Sequence, residues 1–182
     1  ETESAIRAFP KRNAPLMQPG DDWATVAFVT PGATPDARKP NLCVHGFPLA
    51  FADWAHQYES GVELEIVDVR QTPANCWPAE LKCRSRMHYY LADRQAAARR
   101  RGARALLLDQ RGYVAEASTA NVVAYYSDRG LVTPCHENVL PGVSLAVVGE
   151  LADELDLALT EEDLTPDEFS AADEALLVST SI

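Results

Sequence analysis

The stretch from Ala103 to Thr133 constrains the fold more than any other, because glycine turns cut it into short apolar runs. Ala103-Arg-Ala-Leu-Leu-Leu-Asp109 reads as a strand, Gln110-Arg111-Gly112 as a turn, and Tyr113 to Glu116 as the returning partner. Asn121 to Tyr126 follows as another strand, and Asp128-Arg129-Gly130 turns the chain into Leu131-Val132-Thr133. Strands joined this way are hairpins, so the sheet is at least partly antiparallel. Helical patterns flank it. Arg86 to Arg101 has helical spacing: Met87, Tyr90, Leu91 and Ala97 are expected to share a face, arginines fill the last turn, and Gly102 can take the left-handed cap. Ser144 to Leu157 carries an apolar stripe of Leu145, Val148, Leu151, Ala152 and Leu155. Thr165-Pro166-Asp167-Glu168 supplies a cap hydroxyl, a proline at the first helical position and a glutamate three residues past the cap, so a further helix starts there. Ala175 to Val178 then reads as a buried strand. The predicted class is α+β, a mixed, largely antiparallel sheet or barrel with flanking helices.

The first sixty residues are rich in proline and glycine. Ala24 to Val29 is a plausible strand closed by Pro31-Gly32, residues 32–48 read as loop, and Pro48 to Ser60 as a short helix or connector. Val62 to Val69 alternates apolar with acidic residues, which predicts a half-exposed strand. The chain opens at Glu1 rather than a methionine and ends inside the last apolar pattern, so flanking parts are expected.

Composition excludes several classes. With 182 residues and 47% hydrophobic side chains there is enough material for one sizeable core or two small ones. No run of eighteen apolar residues offers a membrane span, and no leader pattern argues for secretion. Cys43, Cys76, Cys83 and Cys135 form no Cys-x-x-Cys pair, which favours reduced thiols in a cytoplasmic protein. The four histidines lack ligand spacing and Cys135-His136 reads as a turn, so no metal is expected. The net charge of −11 is uneven: residues 1–129 hold fifteen acids against sixteen bases, and twelve acids lie beyond with no Lys or Arg. Such an acidic face disfavours nucleic acid as a partner, since phosphate backbones require clustered cations.

Four features carry chemistry. Lys82 is one of only three lysines and has Arg84 and Arg86 close by. Neighbouring cations and partial burial make an amine a better nucleophile towards an aldehyde, although most lone lysines are merely solvated. Glu116 stands at a strand end before small polar residues, a place for a ligand contact or for a simple cap. Leu140-Pro141-Gly142-Val143-Ser144 runs into a helix, whose free amides and dipole suit an anion, or else Ser144 is a cap with no ligand. Ser179-Thr180-Ser181 leaves a buried strand with hydroxyls and amides that can meet phosphate or carboxylate, or form an ordinary loop.

Taken in order, these pieces resemble the class IV, fold type IV aminotransferases, a family that includes branched-chain and D-amino-acid aminotransferases and aminodeoxychorismate lyase. Lys82, Glu116, Leu140 to Ser144 and Ser179 to Ser181 follow one another at intervals of 34, 24 and 36 residues. Leu106-Leu-Leu-Asp109, Gly112-Tyr-Val-Ala-Glu116, Asn121, Gly130-Leu-Val-Thr-Pro134 and Ala172-Asp-Glu174 resemble the family as well. The resemblance implies the cofactor pyridoxal 5'-phosphate, with Lys82 holding its aldehyde and shuttling a proton. Glu116 would pair with the pyridine nitrogen, Val143, Ser144 and Thr180 would hold the phosphate, Leu140 would lie on the ring face, and Ser179 would be a further cofactor-binding residue. It further implies Arg86 on the substrate side and the Ser181 backbone amide at the substrate carboxylate, amino-acid and 2-oxo-acid substrates, and a homodimer. Residues 1–47 would be the remnant of a small amino-terminal α/β domain, 48–60 a connector, and 61–182 the cofactor-binding large domain, incomplete at its end. The family's phosphate-binding arginine would lie upstream of Glu1.

The pattern departs from the branched-chain enzymes at one place. Five residues beyond the lysine they carry a tyrosine, whereas this chain has Met87, with Tyr89 and Tyr90 nearby but expected to point elsewhere on a helix. Lys82 to Met87 looks closer to the lyase branch. Three readings therefore stand: an aminotransferase, a lyase on the same cofactor releasing pyruvate from an aminochorismate-like substrate, and a cofactor-free binding domain that keeps the fold.

Overall fold

The computed structural model describes residues 2–18, 22–34, 39–49, 51–82 and 84–180. The chain divides into two compact units, Glu1–Glu59 and Ser60–Ile182. In the first, helix α1 (Thr2–Asn13) accompanies an antiparallel pair, β1 (Trp23–Thr30) and β2 (Asn41–Pro48). The loop expected over 32–48 is thus corrected: its second half is a strand. Gly46 is needed there, because an added Cβ would lie 2.6 Å from both the Ala24 carbonyl oxygen and the Phe9 ring. Helix α2 (Phe51–Ser60) follows.

The second unit is built from β3 (Leu64–Arg70), α3 (Met87–Arg99), β4 (Arg104–Leu108), β5 (Val114–Ala117), β6 (Asn121–Tyr126), β7 (Gly130–Thr133), α4 (Val143–Glu154), β8 (Leu159–Glu161), α5 (Pro166–Ser170) and β9 (Glu174–Val178). Two sheets form, in the orders β3-β4-β5 and β8-β7-β6-β9. β3 with β4 and β7 with β8 run parallel, and the other pairs are antiparallel. The α+β class with a mixed sheet is the observed one.

Side-chain alternation explains the layering. On β4, Leu106 and Leu108 point one way and Ala105 and Leu107 the other; on β6, Val122, Ala124 and Tyr126 oppose Val123 and Tyr125. Leu106, Leu108, Val122, Ala124, Val132, Leu164 and Phe169 share one core between the sheets. The outer faces are covered by α3, through Ala92 and Ala96 on Val67 and Leu107, and by α4, through Leu145, Val148 and Ala152 on Val123 and Leu131. α5 begins with the expected capping box, Thr165 accepting from the Glu168 amide and the Glu168 carboxylate accepting from the Thr165 amide.

The buried face of α3 differs from the expected one. Met87, Tyr90, Leu91 and Ala97 are exposed, and the sheet is met by Ala92, Ala96 and part of Tyr89 instead. Small residues let the helix approach the strands closely, and Gln95 and Arg99 complete the contact by bonding the edge of β3 at Asp68 and Ile66. On α4, Leu151 and Leu155 of the expected stripe are exposed as well.

Candidate active site

At the place where the chain crosses from one sheet to the other, between β5 and β6, a cleft of about 370 Å³ opens. Its floor is Glu116 and the turn Ala117–Asn121. Leu140–Ser144 at the start of α4, Val178–Thr180 at the end of β9, and Glu80, Lys82 and Arg86 complete the lining. Lys82, Arg86, Glu116, Leu140, Val143, Ser144, Ser179 and Thr180, singled out in the sequence, therefore line one cavity. Ser181 lies outside the described residues. Lys82 is exposed, which corrects the partial burial assumed for it.

Glu116 is only 4% exposed, and the protein supplies three donors to it. Gln71 Nε2 donates to Oε1 at 2.6 Å, the Tyr89 hydroxyl also donates to Oε1, and the Leu140 amide donates to Oε2 at 3.1 Å. Burial raises the carboxyl pKa above its ordinary range; the donors and the nearby charge of Arg86 oppose that rise without cancelling it. Burial and the Glu116 carboxylate together raise the Tyr89 pKa, so that hydroxyl keeps its proton. The expectation that Tyr89 points away from the site is corrected: its hydroxyl reaches the carboxylate. Gln71, just after β3, carried no signal in the sequence, since a lone glutamine after a strand has no chemical signature. Arg86 donates to the Ser118 carbonyl and lies 4.9 Å from the centre of the Tyr89 ring.

The opposite wall is shaped by Asn121. Its Nδ2 donates to the Leu140 carbonyl at 2.8 Å, and its Oδ1 would stand 2.1 Å from a Cβ on residue 142, so only glycine fits there. Gly142 precedes α4 and has no side chain with which to cap it. The first helical bond runs from the Ala146 amide to the Gly142 carbonyl, which leaves the amides of Val143, Ser144 and Leu145 without intrahelical acceptors. Leu140 thereby joins both ends of the cleft, its amide on Glu116 and its carbonyl on Asn121.

Chemically, the cleft holds a primary amine, a buried carboxylate that gains from a cationic partner, and a helix start that favours an anion. An aldehyde, a protonated pyridine and a phosphate are complementary to these three groups, so the residues present fit pyridoxal phosphate.

The comparisons with known proteins agree with the geometry. The family model for amino-transferase class IV matches residues 4–182, and the chain belongs to that family. The match reaches further towards the amino terminus than the motifs do. Among curated proteins, a "Probable branched-chain-amino-acid aminotransferase" of Rickettsia felis is 27% identical over 150 residues, 82% of this chain and 48% of that protein. The chain thus spans about half the length of the curated relatives it matches. The solved branched-chain aminotransferase of the thermophilic archaeon Thermoproteus uzoniensis, with norvaline, is 26% identical, with a TM-score of 0.73, over 87% of this chain and 53% of that one. A structure from Legionella pneumophila, named as a candidate 4-amino-4-deoxychorismate lyase, shares the fold with a TM-score of 0.73 at 20% identity, over 93% of this chain and 60% of that one.

Proposed function

We propose that the protein is a pyridoxal-phosphate-dependent aminotransferase that moves an amino group between an amino acid, of branched-chain type, and a 2-oxo acid. The observation that carries this reading is the convergence of Lys82, Glu116, the α4 start and Ser179–Thr180 on one cleft. When bound, pyridoxal phosphate supplies an electron sink for the carbanion formed at the substrate α-carbon.

The chain's own residues do the rest. Lys82, exposed in the lining of the cleft, would meet the aldehyde and then carry a proton to and from the reacting carbons. Glu116 holds a proton on the ring nitrogen through charge and a hydrogen bond, which its burial strengthens. The amides of Val143 and Ser144, the Ser144 hydroxyl and Thr180 would hold the phosphate, with Leu140 and Ser179 also in the lining that would meet the cofactor. Arg86, in the lining of the cleft, would belong to the substrate side. The family's homodimeric assembly and a cytoplasmic location complete the proposal; among the described residues, no helix is long and apolar enough to cross a membrane.

The names of the relatives favour transamination over the lyase reading, to which the pattern from Lys82 to Met87 points. Full-length protein given leucine, isoleucine, valine and other donors with 2-oxoglutarate should form glutamate only when both partners are present. Pyruvate released from an aminochorismate-like substrate without an acceptor would establish the lyase instead, and a protein that binds no pyridoxal phosphate would contradict both.

A further inference from the structure

We propose that Tyr89, assisted by Gln71, is a positioning residue for Glu116, fixing that carboxylate in the orientation and charge state that a pyridine nitrogen requires. This rests on the reading of the cleft as a pyridoxal phosphate site.

Orientation comes first. A carboxylate offers about four acceptor directions, two on each oxygen. Tyr89 and Gln71 both donate to Oε1, and Leu140 takes one direction on Oε2. The remaining acceptor direction is on Oε2, the oxygen on the Leu140 side, and Leu140 lines the cleft. Without the two donors on Oε1 the carboxylate could turn about its last bond and present either oxygen, or neither.

The two donors also hold each other. Gln71 Nε2 lies 3.4 Å from the Tyr89 hydroxyl oxygen, so the amide donates to the phenol while the phenol donates to the carboxylate. Donors in series polarise one another and strengthen the last bond. The amide of Gln71 has only one tolerable orientation, because reversing it would set its oxygen against Oε1 of Glu116. In the orientation adopted, Gln71 Oε1 is buried with no partner among the described residues. Such an orphan is costly, and the N–H bonds to Glu116 and Tyr89 are what it is exchanged for. Arg86 steadies the ring from the outside, over its face at 4.9 Å and anchored on the Ser118 carbonyl.

Charge state follows from the same contacts. Burial disfavours the ionised carboxyl, and Tyr89, the Leu140 amide, Gln71 and the Arg86 charge favour it. Lys82 and Glu80 are the other ionisable groups lining the cleft. Deleting the Tyr89 hydroxyl removes one donor to the charged form only, so Glu116 takes up a proton at a higher pH. A protonated Glu116 no longer offers negative charge to a pyridine N–H, and affinity for the cofactor falls on the acid side.

The test uses full-length protein and pyridoxal phosphate itself, with the dissociation constant followed across pH by absorption, alongside the melting temperature. Tyr89→Phe should weaken binding about tenfold near neutral pH and move the acid-side loss of binding up by about one pH unit, the size expected for a charge-assisted hydrogen bond. In a Glu116→Gln background the same substitution should change affinity by less than about twofold, since the group it acts through has gone. Gln71→Met should act in the same direction, and it decides the matter should Tyr89→Phe fail to fold. A Tyr89→Phe protein that melts earlier yet binds with the wild-type pH profile overturns the proposal, leaving Tyr89 merely structural. Wild-type protein that binds no pyridoxal phosphate overturns the reading of the cleft, and this proposal with it.

Discussion

Gly142→Ala should damage the site through a contact that can be measured in advance. A Cβ at residue 142 would stand 2.1 Å from Asn121 Oδ1, whereas ordinary contact begins near 3.4 Å, so Asn121 has to withdraw by more than 1 Å. Doing so breaks its 2.8 Å bond to the Leu140 carbonyl. Asn121 is 6% exposed, too buried for water to take over readily, and a buried polar group left unpaired costs about 1–3 kcal/mol. The backbone opposes this slightly. At φ −71° and ψ 137° alanine is comfortable, and the loss of glycine's freedom in the unfolded chain returns about 0.4–1 kcal/mol. The net expectation is a destabilisation of about 1–2 kcal/mol, or a melting temperature lower by roughly 2–8 °C for a chain of this size. Because the Leu140 amide holds Glu116 and the next residues begin α4, affinity for pyridoxal phosphate should fall as well. Thermal denaturation and cofactor titration of Gly142→Ala, Asn121→Ala and the double variant form the assay. Removing Asn121 takes away the obstacle, so the double variant should be little worse than Asn121→Ala alone, a coupling of about 1 kcal/mol or more. Strict additivity, or a Gly142→Ala protein that melts and binds like wild type, would refute the reasoning.

Other substitutions test other parts. Ala92→Leu should overpack α3 against β3 and β4 and cost about 1–3 kcal/mol, whereas Met87→Lys on the same helix should leave the melting temperature nearly unchanged; both are read by thermal or urea denaturation. Glu116→Gln should remove cofactor-dependent activity yet favour the cofactor-free fold at higher pH. The Glu116 pKa is raised in the folded protein, so the native state binds more protons than the unfolded one between the ordinary value of 4.5 and the raised value. Stability from this group is therefore lost as pH rises through that window. The gap between wild type and Glu116→Gln should widen with pH and close towards pH 4.5; a constant gap across the range would contradict this.

Local chemistry made much of the second unit legible. The turns at Gly112 and Gly130, both at positive φ, and the capping box at Thr165 act within a few residues, and the strands beside the two turns lie within one residue of the expected bounds. β2 was hidden because Asn41–Pro48 has no clean alternation and gains its order from pairing with β1 across a long connection. The face of α3 is hidden for a related reason: hydrophobic size points to Met87, Tyr90 and Leu91, whereas the strands are met by the small residues Ala92 and Ala96 with part of Tyr89. In the cleft, the groups that would touch a ligand were readable as ordered motifs. The residues behind them were not. Gln71 and Tyr89 reach Glu116 across separations of 45 and 27 residues, and no spacing rule connects positions so far apart in the chain.

The central claim is that the amine of Lys82 holds the cofactor, and borohydride reduction followed by peptide mapping tests it directly. Full-length protein incubated with pyridoxal phosphate, reduced and digested should carry the phosphopyridoxyl group on the peptide containing Lys82, and Lys82→Ala should carry none. Label spread over Lys11 and Lys39 as readily as Lys82, or undiminished in Lys82→Ala, would contradict the account.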